Sequence, residues 1–285
     1  MEYVTLGNTG RKVSRLGFGG ATAGLKNYLG DFDADNASDR DKIITSIHHA
    51  LEKGITYFDT APGYGDGASE SIFGEALEGR DDVFLATKHA PWSPKPVRPF
   101  IEASLKRLRR DCIDLIQLHG TTYHIDSLGN ILDKGGILDQ LEELRDEGLV
   151  RHIGLTSEDQ NDGLYKLLKT GRFEVIQMLY NFCFNHPYDP VRKSGAIFLA
   201  EELGMGIATM RTTTSGNFQK FMKAVRPDDD FNYTNALIQF VLSNPLVDVA
   251  LVGMRSPAEV DMNVALVEDT SGRLDIDELH NRYTK

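Results

Sequence analysis

Four side chains in the first half of this chain have the types and spacing to move a proton at a reacting oxygen: Asp59, Tyr64, Lys88 and His119. Asp59 ends the apolar run Ile55–Phe58, and a Pro-Gly turn and Tyr64 follow it. DVFLATKH puts Lys88 at the end of a second apolar run, and IDLIQLHG puts His119 at the end of a third. A tyrosine hydroxyl titrates near ~10 in water, which makes it a poor acid or base at neutral pH. A neighbouring lysine ammonium favours the phenolate and lowers that value, and an aspartate paired with the lysine keeps it charged and oriented. A histidine beside the tyrosine can hydrogen-bond the reacting oxygen. Together these groups suit proton delivery to a carbonyl oxygen while a hydride arrives from elsewhere. No side chain supplies a hydride, so this chemistry requires a nicotinamide cofactor. Taken singly, each residue has a plainer role. Asp59 could cap a turn, Lys88 could serve an ion pair, His119 could be a hydrogen-bonded core histidine and Tyr64 a loop aromatic. Their joint arrival at strand ends argues for chemistry.

A parallel strand buried on both faces reads as an apolar run, so its first polar residue marks its carboxyl end. Catalytic groups of a β/α barrel gather at that end. Strand candidates are Leu16–Gly19, Tyr57–Thr60, Val83–Lys88, Leu115–His119, His152–Thr156, Val175–Tyr180, Gly206–Met210 and Val249–Val252. Helical spacing of apolar residues predicts helices over Asp41–Lys53, Ser69–Leu77 (opened by a serine cap), Val97–Arg109, Ile137–Glu147, Gly163–Lys169, Asp189–Leu203, Tyr233–Ser243, Pro257–Val267 and Asp275–Tyr283. Strands alternating with helices imply a parallel sheet with crossover helices. The expected fold is an α/β (β/α)8 TIM barrel over residues 1–285 as one domain, preceded by an N-terminal β-hairpin. Tyr3–Leu6 and Lys12–Leu16 would pair around Gly7, Asn8 and Gly10. An open doubly wound sheet would need a G-x-G-x-x-G turn, and LGFGG at Leu16–Gly20 does not complete one.

The chain has 285 residues and a formal net charge of −11. That charge is a poor fit to nucleic acid or an anionic membrane surface, which call for basic patches. The densest basic run, Arg107–Arg110, reads as a solvated helix face. Cys112 and Cys183 have no metal-ligand spacing, and a reducing compartment suits them. No apolar run approaches the ~18 residues of a membrane helix, and MEYVTLGNTG lacks the apolar core of a signal peptide. A cytoplasmic protein without nucleic-acid, membrane or metal partners is expected. Its oligomeric state is not legible. The acidic segment Asp31–Asp41 reads either as a solvated loop or as one wall of a substrate pocket.

GITYFDTAPGYG, TKH and DLIQLHG together resemble the aldo-keto reductase superfamily, whose tetrad is Asp, Tyr, Lys and His in this order. The resemblance runs from VSRLGFGG to VGMRSPAEV. It implies a barrel that binds NADP(H) in extended form without a dinucleotide turn, and that reduces an aldehyde or ketone to an alcohol or runs the reverse. Tyr64 would be the general acid, tuned by Lys88 and Asp59, with His119 orienting the carbonyl. Gly19 and Gly20 would border the cofactor. Thr156 and Ser157 in GLTSED, and Gln177 in VIQMLYN, would hold its carboxamide, since their side chains can hydrogen-bond an amide. The two hydroxyls could instead cap the following helix, and Gln177 could be satisfied by backbone. Met210 stands where many members stack an aromatic on the nicotinamide, and Arg211 beside it could reach a phosphate. At the adenosine end Arg255 could grip a 2′-phosphate with its planar fork, at the start of a helix opened by Ser256. Glu259 stands where many relatives carry Arg or Gln. It also completes a capping box with Ser256, and it leaves NAD as an alternative to NADP. Asn263 would either contact adenine or face solvent. Trp92, Tyr123 and His124 lie in loops at the active face, as pocket linings or loop packing, and the site is expected to be fairly open. A nicotinamide-binding regulatory or redox-sensing subunit is the alternative function. A barrel lyase or isomerase would need a metal cluster, or a Schiff-base lysine without the partner tyrosine.

Overall fold

The computed structural model describes residues 1–93 and 96–283. Strands β1 (Tyr3–Thr5) and β2 (Lys12–Ser14) form an antiparallel hairpin with Tyr3 opposite Ser14. The next eight strands are β3 (Leu16–Gly19), β4 (Tyr57–Asp59), β5 (Phe84–His89), β6 (Ile113–His119), β7 (Val150–Ser157), β8 (Val175–Leu179), β9 (Gly206–Met210) and β10 (Val249–Val252). They pair in parallel in chain order, and β10 pairs with both β9 and β3 to close a (β/α)8 TIM barrel. Helices α1 (Ala21–Gly24), α2 (Ala37–Glu52), α3 (Ala68–Ala76), α4 (Arg98–Leu108), α5 (Gly129–Leu132) and α6 (Ile137–Asp146) follow the earlier strands. Helices α7 (Asp162–Leu168), α8 (Ala196–Glu202), α9 (Asn217–Val225), α10 (Tyr233–Leu242), α11 (Pro257–Glu268) and α12 (Ile276–Tyr283) follow the later ones. No helix among the described residues is long and apolar enough to cross a membrane.

The core has two parts because a barrel strand points alternate side chains inward and outward. Outward residues such as Phe58, Leu85, Ile116 and Ile153 pack under the helices. Inward residues near the strand starts, among them Tyr57, Phe84, Leu115, Val175 and Val249, fill the lower barrel, and Leu6 and Val13 of the hairpin join them. The hairpin therefore plugs the amino end and leaves the carboxyl end for polar groups.

Several expected elements differ. The stretch from Asp189 is not helical until Ala196, because the Asp189 carboxylate accepts the N–H groups of Val191 and Arg192 and the chain folds back to pair Asp189 with Ser194. Helix α3 starts behind Gly67 without a side-chain cap. Ser69 is buried and donates instead to the Gly20 carbonyl while accepting from the Thr60 hydroxyl. Helix α2 starts a turn earlier than its apolar periodicity suggests, since Asn36 caps Asp39, so half of the acidic segment is helix. Helix α9 was not expected at all. The basic run is not a solvated face: Arg107 pairs with the fully buried Glu70 at 2.6 Å, and Arg109 and Arg110 pair with Glu78 and Asp81.

Candidate active site

Strand register brings the ionisable residues together. Gly19 pairs with Asp59, Lys88 with Gln117, His119 with Thr156, and Thr156 with Gln177. Tyr64 reaches them from the loop after β4. That loop is seated by contact between glycine backbones, because a Cβ on Gly24 would lie 2.1 Å from the Tyr64 carbonyl oxygen, and one on Gly65 would lie 2.2 Å from that of Gly24.

Lys88 Nζ donates to Asp59 Oδ1 at 2.6 Å and to the Thr60 carbonyl at 2.8 Å, with both side chains buried. It lies 5.1 Å from the centre of the Tyr64 ring. His119 meets the same ring edge-on, with 5.8 Å between centroids. Burial works against the Lys88 ammonium, but Asp59 and Tyr64 outweigh it, so the group titrates above its ordinary value. Burial pushes the Asp59 carboxyl up, and Lys88 and Gln117 hold it back in part. Burial also raises the Tyr64 hydroxyl, and the nearby ammonium recovers only part of that rise, so the phenol keeps its proton. Burial, with a smaller push from Lys88, lowers His119 to about 3, so its imidazole is neutral. The arrangement offers an oxygen-bound proton, a fixed positive charge behind it and a neutral N–H donor beside it.

These groups open into a cavity of about 370 Å³ at the carboxyl end of the barrel. Gly19, Gly20, Asp59, Tyr64, His119, Gln177, Met210 and Arg211 of the expected residues line it. Tyr28 and Ser215 close over part of its mouth with a 3.0 Å hydrogen bond. Arg211 points its charge to Glu158, 2.6 Å away on the rim. Thr156 and Ser157 are not on the cavity wall. Thr156 donates to the Gly120 carbonyl at 2.7 Å and Ser157 to the Asp159 carbonyl at 2.7 Å, so the two hydroxyls serve the loops after β6 and β7.

The loop residues past β5 and β6 lie elsewhere. Trp92 is exposed and Tyr123 buried, and both border a separate hollow of about 620 Å³. Tyr123 donates to the Leu118 carbonyl at 3.2 Å, which turns it away from the tetrad cavity. His124 is exposed at the start of a short 3-10 turn.

At the far end, Arg255, Ser256 and Pro257 border a hollow of about 510 Å³ with Ser38, Asp41, Lys42 and Thr45 of α2. The Arg255 guanidinium is committed to backbone, donating to the carbonyls of Thr22, Tyr28 and Gly30 and lying over the Phe32 ring. Ser256 caps α11 by accepting the Glu259 N–H at 3.3 Å, and Glu259 accepts the Arg255 N–H at 2.6 Å. Asn263 is buried in α11 with its amide oxygen unpartnered.

Two residues of the site escaped the sequence reading. Gln117, wholly buried, joins Asp59 to Gln177. Its signal was available, because it precedes His119 by two and so shares the inward face of β6. Thr212 lines the cavity with a buried, unpartnered hydroxyl and carried no sequence signal beyond its place after β9. Among the described residues no group of three His, Cys, Asp or Glu side chains could hold a metal ion.

A closed parallel barrel with a Tyr, Lys, Asp and His cluster at its carboxyl mouth has the architecture of a barrel enzyme, whose active site sits at that end. Residues 15–236 match the model of the Aldo/keto reductase family, and the chain belongs to that family of oxidoreductases. L-galactose dehydrogenase of Arabidopsis thaliana is 30% identical, over 94% of this chain and 89% of its own length. The solved structure of aldo-keto reductase AKR11C1 from Bacillus halodurans, in its holo form, matches with a TM-score of 0.76 and 27% identity, covering 99% of this chain and 95% of that one. An aldo/keto reductase from Klebsiella pneumoniae, solved with NADP and acetate, shares the fold at a TM-score of 0.74 and 20% identity, covering 99% and 94%.

Proposed function

We propose that this oxidoreductase uses NADP(H) to interconvert an aldehyde or ketone with the corresponding alcohol, with Tyr64 donating the proton in the direction of reduction. The observation that carries this reading is the Tyr64 ring in the cavity, with Lys88 Nζ 5.1 Å from its centre and the His119 ring edge-on to it at 5.8 Å. The Klebsiella relative was solved with NADP. Polar atoms without partners fit such a cofactor here: the Thr212 hydroxyl on the cavity wall and the buried Asn263 amide oxygen of α11. Gln177, Thr212, Met210 and the Gly19–Gly20 backbone would hold the nicotinamide half, and Ser256 and Asn263 the adenosine half. The bound nicotinamide would supply the hydride.

This chain's own residues handle the proton. His119 donates an N–H to the substrate oxygen and orients it. Tyr64 transfers its phenolic proton to that oxygen, and the Lys88 ammonium stabilises the tyrosinate left behind. Asp59 keeps the ammonium in place. Thr121, Glu158, Arg211 and Ser215 make the rim polar, which suits a hydroxylated substrate of the kind named for the plant relative.

Tyr64→Phe removes the proton donor and little else. Turnover of an aldehyde panel by the purified variant should fall at least ~100-fold, the lower range for losing a general acid. NADPH binding, followed by fluorescence, should stay near the wild-type value. Near-normal turnover of the variant would sink this mechanism.

A further inference from the structure

Gln117 sits at the floor of the site and makes bonds in two directions. Its single amide nitrogen donates to Asp59 Oδ2 at 3.0 Å and to Gln177 Oε1 at 3.1 Å. Asp59 is therefore held through both oxygens, since Lys88 takes the other. The amide cannot be turned over, because its oxygen would then face two acceptors. The orientation that satisfies Asp59 and Gln177 leaves Gln117 Oε1 buried with no partner. A full amide side chain is thus kept in the barrel interior for its two N–H groups, and both of its acceptor partners line the cavity. Gln117 takes one lone pair of the Gln177 oxygen, and the Gln177 N–H groups stay available as donors.

We propose that Gln117 is a positioning residue that locks the proton-delivering pair Lys88–Asp59 to the cofactor-facing amide of Gln177. This rests on the reading of Tyr64 as proton donor and of Gln177 as a cofactor contact. Its consequence is that cofactor affinity and the pH behaviour of proton transfer are set together, through a residue that lines neither the cavity nor the rim. Other titratable groups surround the pair: Tyr57 on β4, Tyr64 after it, His119 on β6, and Tyr28 and Arg211 from the loops after β3 and β9. Asp248, below β10, acts on Tyr57 from the far side.

Two variants separate this from simple packing. Gln117→Met keeps the volume and removes both donors. Gln117→Glu keeps the shape, and its carboxyl donates only when protonated. For Gln117→Met the expected loss in single-turnover hydride transfer is about 10- to 100-fold, the size of a hydrogen bond to a charged group. Its pH profile should shift, and its NADPH affinity should weaken several-fold although Asp59 and Gln177 are untouched. For Gln117→Glu the rate should recover toward acid pH, relative to Gln117→Met, as the introduced carboxyl takes up its proton.

Fluorescence titration with NADPH needs no turnover, so it decides this inference even if Tyr64→Phe shows the proton-donor reading to be wrong. Folded variants with wild-type NADPH affinity would overturn the coupling. So would equal losses in the two variants at every pH, which would mark Gln117 as packing alone.

Discussion

A tyrosine hydroxyl ionises near ~10 in water, and a lysine ammonium beside it argues for a lower value. At Tyr64 burial wins, and the net direction is upward. The sequence shows the lysine but not the depth of the pocket, so the sign was not legible from TKH and PGY alone. The consequence is specific. His119 titrates at about 3, too low to contribute near neutrality. The rate of carbonyl reduction should therefore be level from about pH 5 to pH 8, the window where an unperturbed histidine would show. It should fall only at alkaline pH, where Tyr64 loses the proton it must donate. Rates measured across pH with wild type and His119→Gln test this. A wild-type inflection near 6.5 that disappears in His119→Gln would mean the imidazole is far better solvated than its packing implies. The tetrad residues themselves were legible, because each interrupts an apolar run or follows its turn. Gln117 was not singled out, because an uncharged residue inside IDLIQLH does not break the pattern.

Elements decide what Arg255 can do. Read in sequence, it is a basic residue at the start of a helix that follows a barrel strand, where phosphates commonly bind. In the fold, the segment between β3 and α2 passes over it and supplies three carbonyls to its guanidinium. That segment carries Tyr28, which reaches Ser215 across the cavity mouth. Arg255 is thus placed to hold the loop that roofs the site. Arg255→Ala is expected to weaken NADPH and NADH in the same proportion, by about tenfold if one charge-assisted bond's worth of ordering is lost. Parallel fluorescence titrations measure both. Selective loss of NADPH would return Arg255 to the 2′-phosphate. Such loop-to-loop bonds join residues more than two hundred positions apart, and no local pattern announces them. Thr156 donates to the loop after β6 and Ser157 to the loop after its own strand, which GLTSED alone does not show. Helix α9 was missed for another reason: its residues are half-buried or exposed, and its polar flanks read as loop.

The whole barrel was legible because its demand is simple: eight short apolar runs separated by amphipathic segments. The same alternation that turns Lys88 into the barrel turns His89 out under α4, and this sets a prediction for the molecule's stability. His89 is 3% exposed, its Nε2 has no partner, and its ring packs 5.4 Å from that of Phe100. Burial alone lowers it from 6.5 to about 4. Below 6.5 the unfolded chain takes up a proton that the folded chain refuses, so this contribution is complete above 6.5 and is lost as pH falls toward 4. His119 acts in the same sense. Asp248, raised to about 6 by burial, acts in the opposite sense, since the folded chain favours its protonated form and that advantage is lost as pH rises through 6. The wild-type curve therefore mixes opposing contributions, and a difference between two proteins isolates one. His89→Phe keeps an aromatic ring against Phe100 and removes the titration. Between pH 7 and pH 5 wild type should lose about 2 kcal/mol more than His89→Phe, from the linkage of a group shifted by that much. Urea unfolding of both proteins at both pH values gives this difference directly, and charges elsewhere cancel in it. Equal losses would mean that the His89 ring finds water or a proton acceptor in solution, and that the contact between β5 and α4 is looser than its packing shows.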